Sequence, residues 1–251
     1  MGQYGFYFDQ SRCVGCNACV AACKQWHNLP PGPQKWIRVY QWEKGAFPGI
    51  QLHFLAIPCY HCRKPKCLQA CPNRAIFKED RYGAVLIDPQ KCRGSRKCWL
   101  ACPYGSISFA SDQPGETASK CTMCLDRLQE GKKPICVISC SMRALEFGPL
   151  EELVSEFGQL RQLEDMPSPA ITNPSVLFKT REAKKAILPW DFQKAMELWK
   201  KRGPYAPKDA PDLFANLGEI TQVPPNTIGH DRLVLKARNV EEFMYYTTDH
   251  D

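Results

Sequence analysis

Fifteen cysteines, all between residues 13 and 140, fall into four short groups, and the 111 residues that follow contain none. The groups are Cys13, Cys16, Cys19 and Cys23; Cys59, Cys62, Cys67 and Cys71; Cys92, Cys98 and Cys102; and Cys121, Cys124, Cys136 and Cys140. Any fold open to this chain must house those thiols. Disulfide frameworks belong mainly to shorter secreted domains with an even cysteine count, and an odd count in 251 residues argues against one. The first group is spaced C-x2-C-x2-C-x3-C. In that pattern three close thiolates hold three corners of one iron-sulfur cubane, while the fourth points away to complete a different cluster. The second group stretches its middle spacing to four residues but ends in Cys71-Pro72, and the fourth has an eleven-residue loop between Cys124 and Cys136. Soft thiolates also suit zinc, and the pairs Cys121/Cys124 and Cys136/Cys140 alone could make a structural zinc site. Four groups with ferredoxin spacing favour clusters, and a structural zinc-binding protein is the alternative from a different class.

Because ferredoxin modules exchange fourth ligands between two clusters, the groups can be paired. The second and third are adjacent and both end in Cys-Pro, whereas the first and fourth carry Lys24 and Ser141 in place of that proline. The expected ligand sets are Cys13, Cys16, Cys19 and Cys140; Cys121, Cys124, Cys136 and Cys23; Cys59, Cys62, Cys67 and Cys102; and Cys92, Cys98 and Cys71. In the last set Ser95 stands where the spacing demands a cysteine. A hydroxyl is a harder donor and reluctant to ionise, so we expect three 4Fe-4S clusters and one 3Fe-4S cluster. The alternatives at that site are a fourth 4Fe-4S cluster with a non-cysteine ligand at Ser95, or a vacant site. Gly15, Ala18, Gly94 and Ala101 leave room for backbone N–H groups to approach cluster sulfurs. His61 adjoins a group that already has four cysteines and is read as a neighbour or surface residue, not a ligand.

The formal charge of +7 raises nucleic-acid binding. The basic clusters lie inside the cysteine motifs, however, and four clusters of about −2 each would bring the net charge close to −1. We expect no nucleic-acid partner. No apolar stretch reaches bilayer length, and Met1 to Arg12 lack a basic flank followed by an apolar run. We therefore expect neither a membrane span nor an export signal of the chain's own. No Ser-His-Asp set, phosphate loop or substrate motif is evident, so the chain is read as a non-catalytic electron-transfer subunit.

The expected fold is α+β: two tandem bacterial-ferredoxin-like modules, a β-hairpin insertion, and an irregular, partly helical C-terminal extension. Residues 1–148 form the paired four-cluster domain, with the insertion at 24–58 and the extension at 149–251, read as wrapping a partner. Strands are expected at Ala75–Lys78 and Ala84–Asp88, around the turn residues Asp80–Gly83, and at Ile37–Trp42 and Leu52–Ile57. The insertion's Trp26, Trp36, Tyr40, Trp42 and Phe47 are read as core before docking surface. Helices are expected at Leu150–Leu163 and Asp191–Arg202, each after a proline. Proline-rich connections follow at Met166–Pro174, Pro204–Pro211 and Val223–Asn226.

Particular stretches carry a family likeness: Gln3-Tyr4-Gly5-Phe6, His61-Cys62 with Pro65 before Cys67, the run KCTMCLDRLQEGKKPICVISC from Lys120 to Cys140, and Arg143 to Pro149. On these the chain resembles the iron-sulfur electron-transfer (beta) subunits of dimethyl sulfoxide reductase-type molybdopterin oxidoreductases. The resemblance implies a catalytic partner holding a molybdenum or tungsten bis-pterin cofactor, four clusters in a line, and a quinone-linked membrane subunit or another redox partner. The first group's cluster would lie nearest the catalytic subunit and the third group's nearest the membrane. Related subunits such as the nitrate reductase beta subunit also replace a third-group cysteine and carry a 3Fe-4S cluster there. A peripheral place at the cytoplasmic membrane is implied, on the periplasmic face by co-export with the partner or on the cytoplasmic face. A polyferredoxin-like subunit of a formate dehydrogenase or hydrogenase complex is the main alternative.

Overall fold

The strand that precedes the first cysteine group pairs with the strand that follows the last. Tyr4–Asp9 (β1) is aromatic at four of six positions, a composition that suits a half-buried pleated surface. It runs antiparallel to Leu145–Pro149 (β6), with Phe6 opposite Phe147 and Tyr7 opposite Glu146. The Phe6 and Phe147 rings sit 5.0 Å apart, a cross-strand pair of the kind that fixes register. The structure, a computed structural model, describes residues 2–45, 50–182, 191–201 and 232–247.

Between those two strands the polypeptide makes Ala18–Trp26 (α1), the hairpin Ile37–Lys44 (β2) and Gln51–Pro58 (β3), and Lys66–Ala70 (α2). The short hairpin Ile76–Lys78 (β4) and Val85–Ile87 (β5), Lys97–Ala101 (α3), Leu125–Gln129 (α4) and Ile135–Ile138 (α5) follow. α1, from the first group, packs on α5, from the fourth, and α2, from the second, packs on α3, from the third. One ferredoxin-like module is thus continuous in sequence. The other is split around it and closed by the β1–β6 pairing.

β2 and β3 pair antiparallel along their whole length, from Ile37 opposite Pro58 to Lys44 opposite Gln51. Alternation along β2 sends Val39 toward the first-group cysteines and Arg38 and Tyr40 to the opposite face. Arg38 is buried there and donates to the carbonyls of Gly105 (2.9 Å) and Ile107 (3.2 Å), which ties the insertion to the continuous module. Tyr40 and Trp42 are buried, while Trp26 is exposed and donates to Asp126 at 2.6 Å. Phe47 lies outside the described residues.

The region after residue 148 departs from expectation. The helix beginning at Leu150 (α6) ends at Phe157, not Leu163, because Gly158 follows at φ 85° and turns the backbone away from helical geometry. Leu163 is buried all the same, by the loop's own course. Val176–Lys179 (β7), which lies within the expected irregular extension, adds to the sheet parallel to β1, giving the order β6-β1-β7. Tyr7, Leu150, Leu153 and Leu177 form a small buried cluster on that sheet, with the Tyr7 and Phe157 rings stacked at 3.9 Å. Packing therefore runs across the expected boundary at 148/149.

The helix expected at Asp191–Arg202 spans Phe192–Lys201 (α7), with Arg202 outside the described residues. The segments Pro204–Pro211 and Val223–Asn226 lie outside them too. The last described stretch, 232–247, ends in Val240–Tyr246 (α8) and lies against the ferredoxin-like modules. Phe243 packs edge-on to Trp99 of α3 at 4.8 Å, and Lys236 donates to the Leu100 carbonyl at 2.6 Å. A Cβ on Gly105 would stand 2.2 Å from the Leu235 carbonyl oxygen, so this close approach requires glycine. The 232–247 segment thus braces the protein's own cysteine-bearing region.

Leu177 is fully buried. Leu177→Ala is expected to cost about 2–5 kcal/mol, read as a lower urea midpoint, while iron bound per protein molecule stays unchanged.

Candidate metal centres

All fifteen cysteines are free thiols, and the tertiary structure sorts them into four sets. Cys13, Cys16, Cys19 and Cys140 line one enclosed cavity with Phe8, Val39 and Ala56. Cys59, Cys62, Cys67 and Cys102 line a second with Tyr60, Tyr104 and Thr172. Cys71, Cys92 and Cys98 line a third together with Ser95. Cys23 faces Cys121 and Cys124, and Cys136 faces all three, which makes the remaining set. Each set draws on two sequence groups. Among the described residues no three His, Cys, Asp or Glu side chains stand as they would around a single ion, and three of the four thiol sets line cavities instead.

The backbone explains why these thiols point inward together. The repeats that begin at Cys71, Cys102 and Cys140 each place their fourth residue in the left-handed region: Arg74 at φ 49°, Gly105 at 61° and Arg143 at 53°. That twist turns the fifth residue's N–H back on the cysteine, so Ala75 donates to Cys71 Sγ and Ala144 to Cys140 Sγ, both at 3.3 Å. The Ser106 backbone does the same for Cys102. Further donors are Met123 to Cys121 Sγ (3.3 Å), Ala118 to Cys92 Sγ (3.4 Å) and His61 N–H to Cys59 Sγ (3.5 Å). N–H groups aimed at sulfur favour its thiolate form and adjust cluster potentials.

Burial opposes that form. It pushes the Cys13 and Cys98 thiols up to about 11, against backbone N–H donors that lower them, and Cys19 and Cys121 up to about 12. Burial also raises Cys23, Cys67 and Cys136. Unligated, these groups would therefore be neutral at pH 7. A metal that displaces the proton converts each into a paired charge with N–H donors already in place. Ringed soft donors, cavities between them and preset N–H groups fit iron-sulfur clusters.

The site containing Ser95 repeats the first-group loop. Gly15 and Asn17 lie at φ 70° and 57°, and Gly94 and Arg96 at 65° and 55°. Helices α1 and α3 begin directly after Asn17 and Arg96. Ser95 thus holds the place that Cys16 holds in the other loop, and both residues are exposed.

Several residues at these sites were not singled out by sequence reasoning. Thr172, from the C-terminal extension, lines the cavity of Cys59, Cys62, Cys67 and Cys102, where burial pushes the Cys62 thiol up to about 12 and the Thr172 hydroxyl opposes that rise. His27 places Nε2 3.3 Å from Cys124 Sγ. Lys120 is buried at 3% exposure beside Cys59, Cys121 and Cys67. Only Lys120 had a local signal, as the residue directly before Cys121. His61 is completely buried and accepts the Val85 N–H on Nδ1 at 2.9 Å, which removes the surface reading.

A Cβ on Gly15 would meet the Phe54 ring at 2.3 Å in a backbone conformation that L side chains rarely adopt. Gly15→Ala is expected to distort the Cys13–Cys16 loop and to lower bound iron by about 4 per protein molecule, measured by total iron with the Cys59 and Cys71 sites unaffected.

Two 4Fe-4S dicluster domain models match the sequence, over residues 12–76 and 50–150. The B subunit of the anaerobic dimethyl sulfoxide reductase of Escherichia coli (strain K12) is 39% identical over 185 residues, 70% of this chain and 88% of that protein. Its counterpart in Haemophilus influenzae is 35% identical over 189 residues, 71% of this chain and 90% of that one. The protein NrfC of E. coli K12 is 36% identical over 159 residues, 63% of this chain and 70% of that one. Ferredoxin-like modules, the four thiol sets and this extent of identity make the protein a member of the family of iron-sulfur electron-transfer subunits, the B subunits, of dimethyl sulfoxide reductases.

Proposed function

We propose that the protein relays electrons through four clusters between a molybdenum or tungsten bis-pterin catalytic subunit and a quinone-linked membrane subunit or other redox partner. The observation that carries this reading is that the cysteines ring four separate sites, each drawing ligands from two sequence groups. The bound clusters supply one-electron transfer. The polypeptide's own part is to hold them in order, exclude water and set their potentials.

The order follows from which thiols face each other across sites. Cys136 feels Cys19, which joins the Cys13 site to the Cys23 site, and Cys121 feels Cys59, which joins the Cys23 site to the Cys59 site. The α2–α3 contact joins the Cys59 site to the Cys71 site. These neighbours support a line of four. Its ligands are Cys13, Cys16, Cys19 and Cys140; Cys23, Cys121, Cys124 and Cys136; Cys59, Cys62, Cys67 and Cys102; and Cys71, Cys92 and Cys98. With Ser95 in the cysteine's place, the last site holds a 3Fe-4S cluster. Residues 1–148 carry the clusters, and the α6–β7 region and the 232–247 segment brace them. Among the described residues no helix is long and apolar enough to cross a membrane. Attachment at the cytoplasmic membrane is through a partner subunit.

Electron paramagnetic resonance of the oxidised protein, with total iron, tests this. One 3Fe-4S spin with about 15 irons per protein molecule is expected. Negligible iron would overturn the relay, and no signal with about 16 irons would overturn the Ser95 assignment. Ser95→Cys is expected to abolish the oxidised signal and to lower that site's potential.

A further inference from the structure

Lys120 stands where the two modules meet, and its surroundings are unusual for an ammonium group. Only 3% of its surface is exposed, and among the described residues it has no carboxylate partner. Its Nζ donates to the Val85 carbonyl and, at 2.9 Å, to the Cys121 carbonyl. Cys59, Cys121 and Cys67 lie close enough to act on its charge. Val85 lines the cavity of Cys59, Cys62, Cys67 and Cys102, and Cys121 belongs to the neighbouring set. The ammonium therefore lies between the two inner sites of the line, one from each module.

A buried charge is retained only where it is paired and hydrogen-bonded. Carbonyl dipoles satisfy the N–H groups but bring no net charge. Among the described residues, the anions within reach are the thiolates of the two sites. Val85, whose carbonyl receives Lys120, also gives its N–H to His61 Nδ1, so this pocket is rigidly hydrogen-bonded.

We propose that Lys120 is a fixed cation shared by the Cys23/Cys121/Cys124/Cys136 and Cys59/Cys62/Cys67/Cys102 sites, and that it raises the reduction potentials of both together. The sign follows from charge. Reduction adds one negative charge to a site, and a nearby ammonium stabilises that form more than the oxidised one. Lys120 is a positioning residue for electrons and touches no substrate. Among the described residues no buried lysine or arginine lines the cavity of the Cys13 site or that of the Cys71 site, so the effect is expected in the middle of the line. This inference rests on the relay reading above.

The test is a potentiometric titration of the cluster-loaded full-length protein, followed by electron paramagnetic resonance, in wild type, Lys120→Met and Lys120→Arg. Lys120→Met is expected to shift the reduction equilibrium of both inner sites at least tenfold toward the oxidised form, about 59 mV for a one-electron couple. Lys120→Arg should stay near wild type, and the outer sites should not move. Inner potentials unchanged in Lys120→Met, or all four shifted alike, would overturn the proposal. If Lys120→Met fails to assemble, Lys120→Gln is compared with Lys120→Arg. Assembly with arginine but with neither neutral residue supports the charge role, whereas equal failure of all three reduces Lys120 to a packing residue and overturns it. Wild-type protein without iron would instead sink the relay reading before any variant is compared.

Discussion

The structure depends on the burial of thiol groups that function only when deprotonated. Burial drives these thiols toward neutrality, with Cys19 and Cys121 reaching about 12. The fold offsets this with backbone N–H groups at sulfur, donated by Ala75, Ala144, Met123 and Ala118. The repeated donors exist because Arg74, Gly105, Arg143 and Met123 accept left-handed backbone conformations. Three of these are non-glycine residues in a region that carries a steric cost. The repeated twist is thus a local strain that delivers an N–H to a sulfur, and metal binding returns the free energy.

A second consequence is that cysteine thiols are built into the core itself. Cys19, Cys23, Cys59, Cys67, Cys98, Cys102, Cys121 and Cys136 all belong to the main buried cluster, alongside Phe6, Leu55 and Ile107. Such a core has voids at its centre, and the aliphatic packing around them cannot close without collapse. The outer elements therefore carry the framework. The β6-β1-β7 sheet closes the split module, β2 and β3 cover the first-group loop, and the 232–247 segment presses on α3 through Phe243. Arg38, stacked 4.5 Å from Phe243, links two of these braces.

Lys120 shows how the same principle serves function. In the sequence the positive charge reads as a general counterweight to the clusters, spread over Arg63, Lys64, Arg93 and Lys132. Those side chains are largely on the surface, where water screens them. Lys120 is placed inside, between two sites, where the low dielectric strengthens the effect of its charge. On the reading proposed above, this placement acts on the two inner sites, where the buried Arg38 and Arg127 also lie near Cys102 and Cys124.

Cysteine spacing by itself determined the ligand chemistry, because three thiols within one tight loop can reach only one small cluster, and the substitution at Ser95 was legible for the same reason. The short hairpin at β4 and β5 was legible from alternation around a turn. Helix α6 was legible at its start, where Pro149 precedes an amphipathic run, and misjudged at its end, where Gly158 outweighed the continuing pattern. Strand β7 was missed because Val176-Leu177-Phe178 is too short to show a period and becomes a strand only when β1 offers an edge. Thr172, His27 and the bracing by residues 232–247 depend on contacts between segments far apart in sequence, such as Thr172 with Cys62 and Leu235 with Gly105. Local spacing fixes which atoms can bind, since a few bonds govern it. Which segment closes each site, and which charge lies between sites, is decided only when the whole polypeptide is packed.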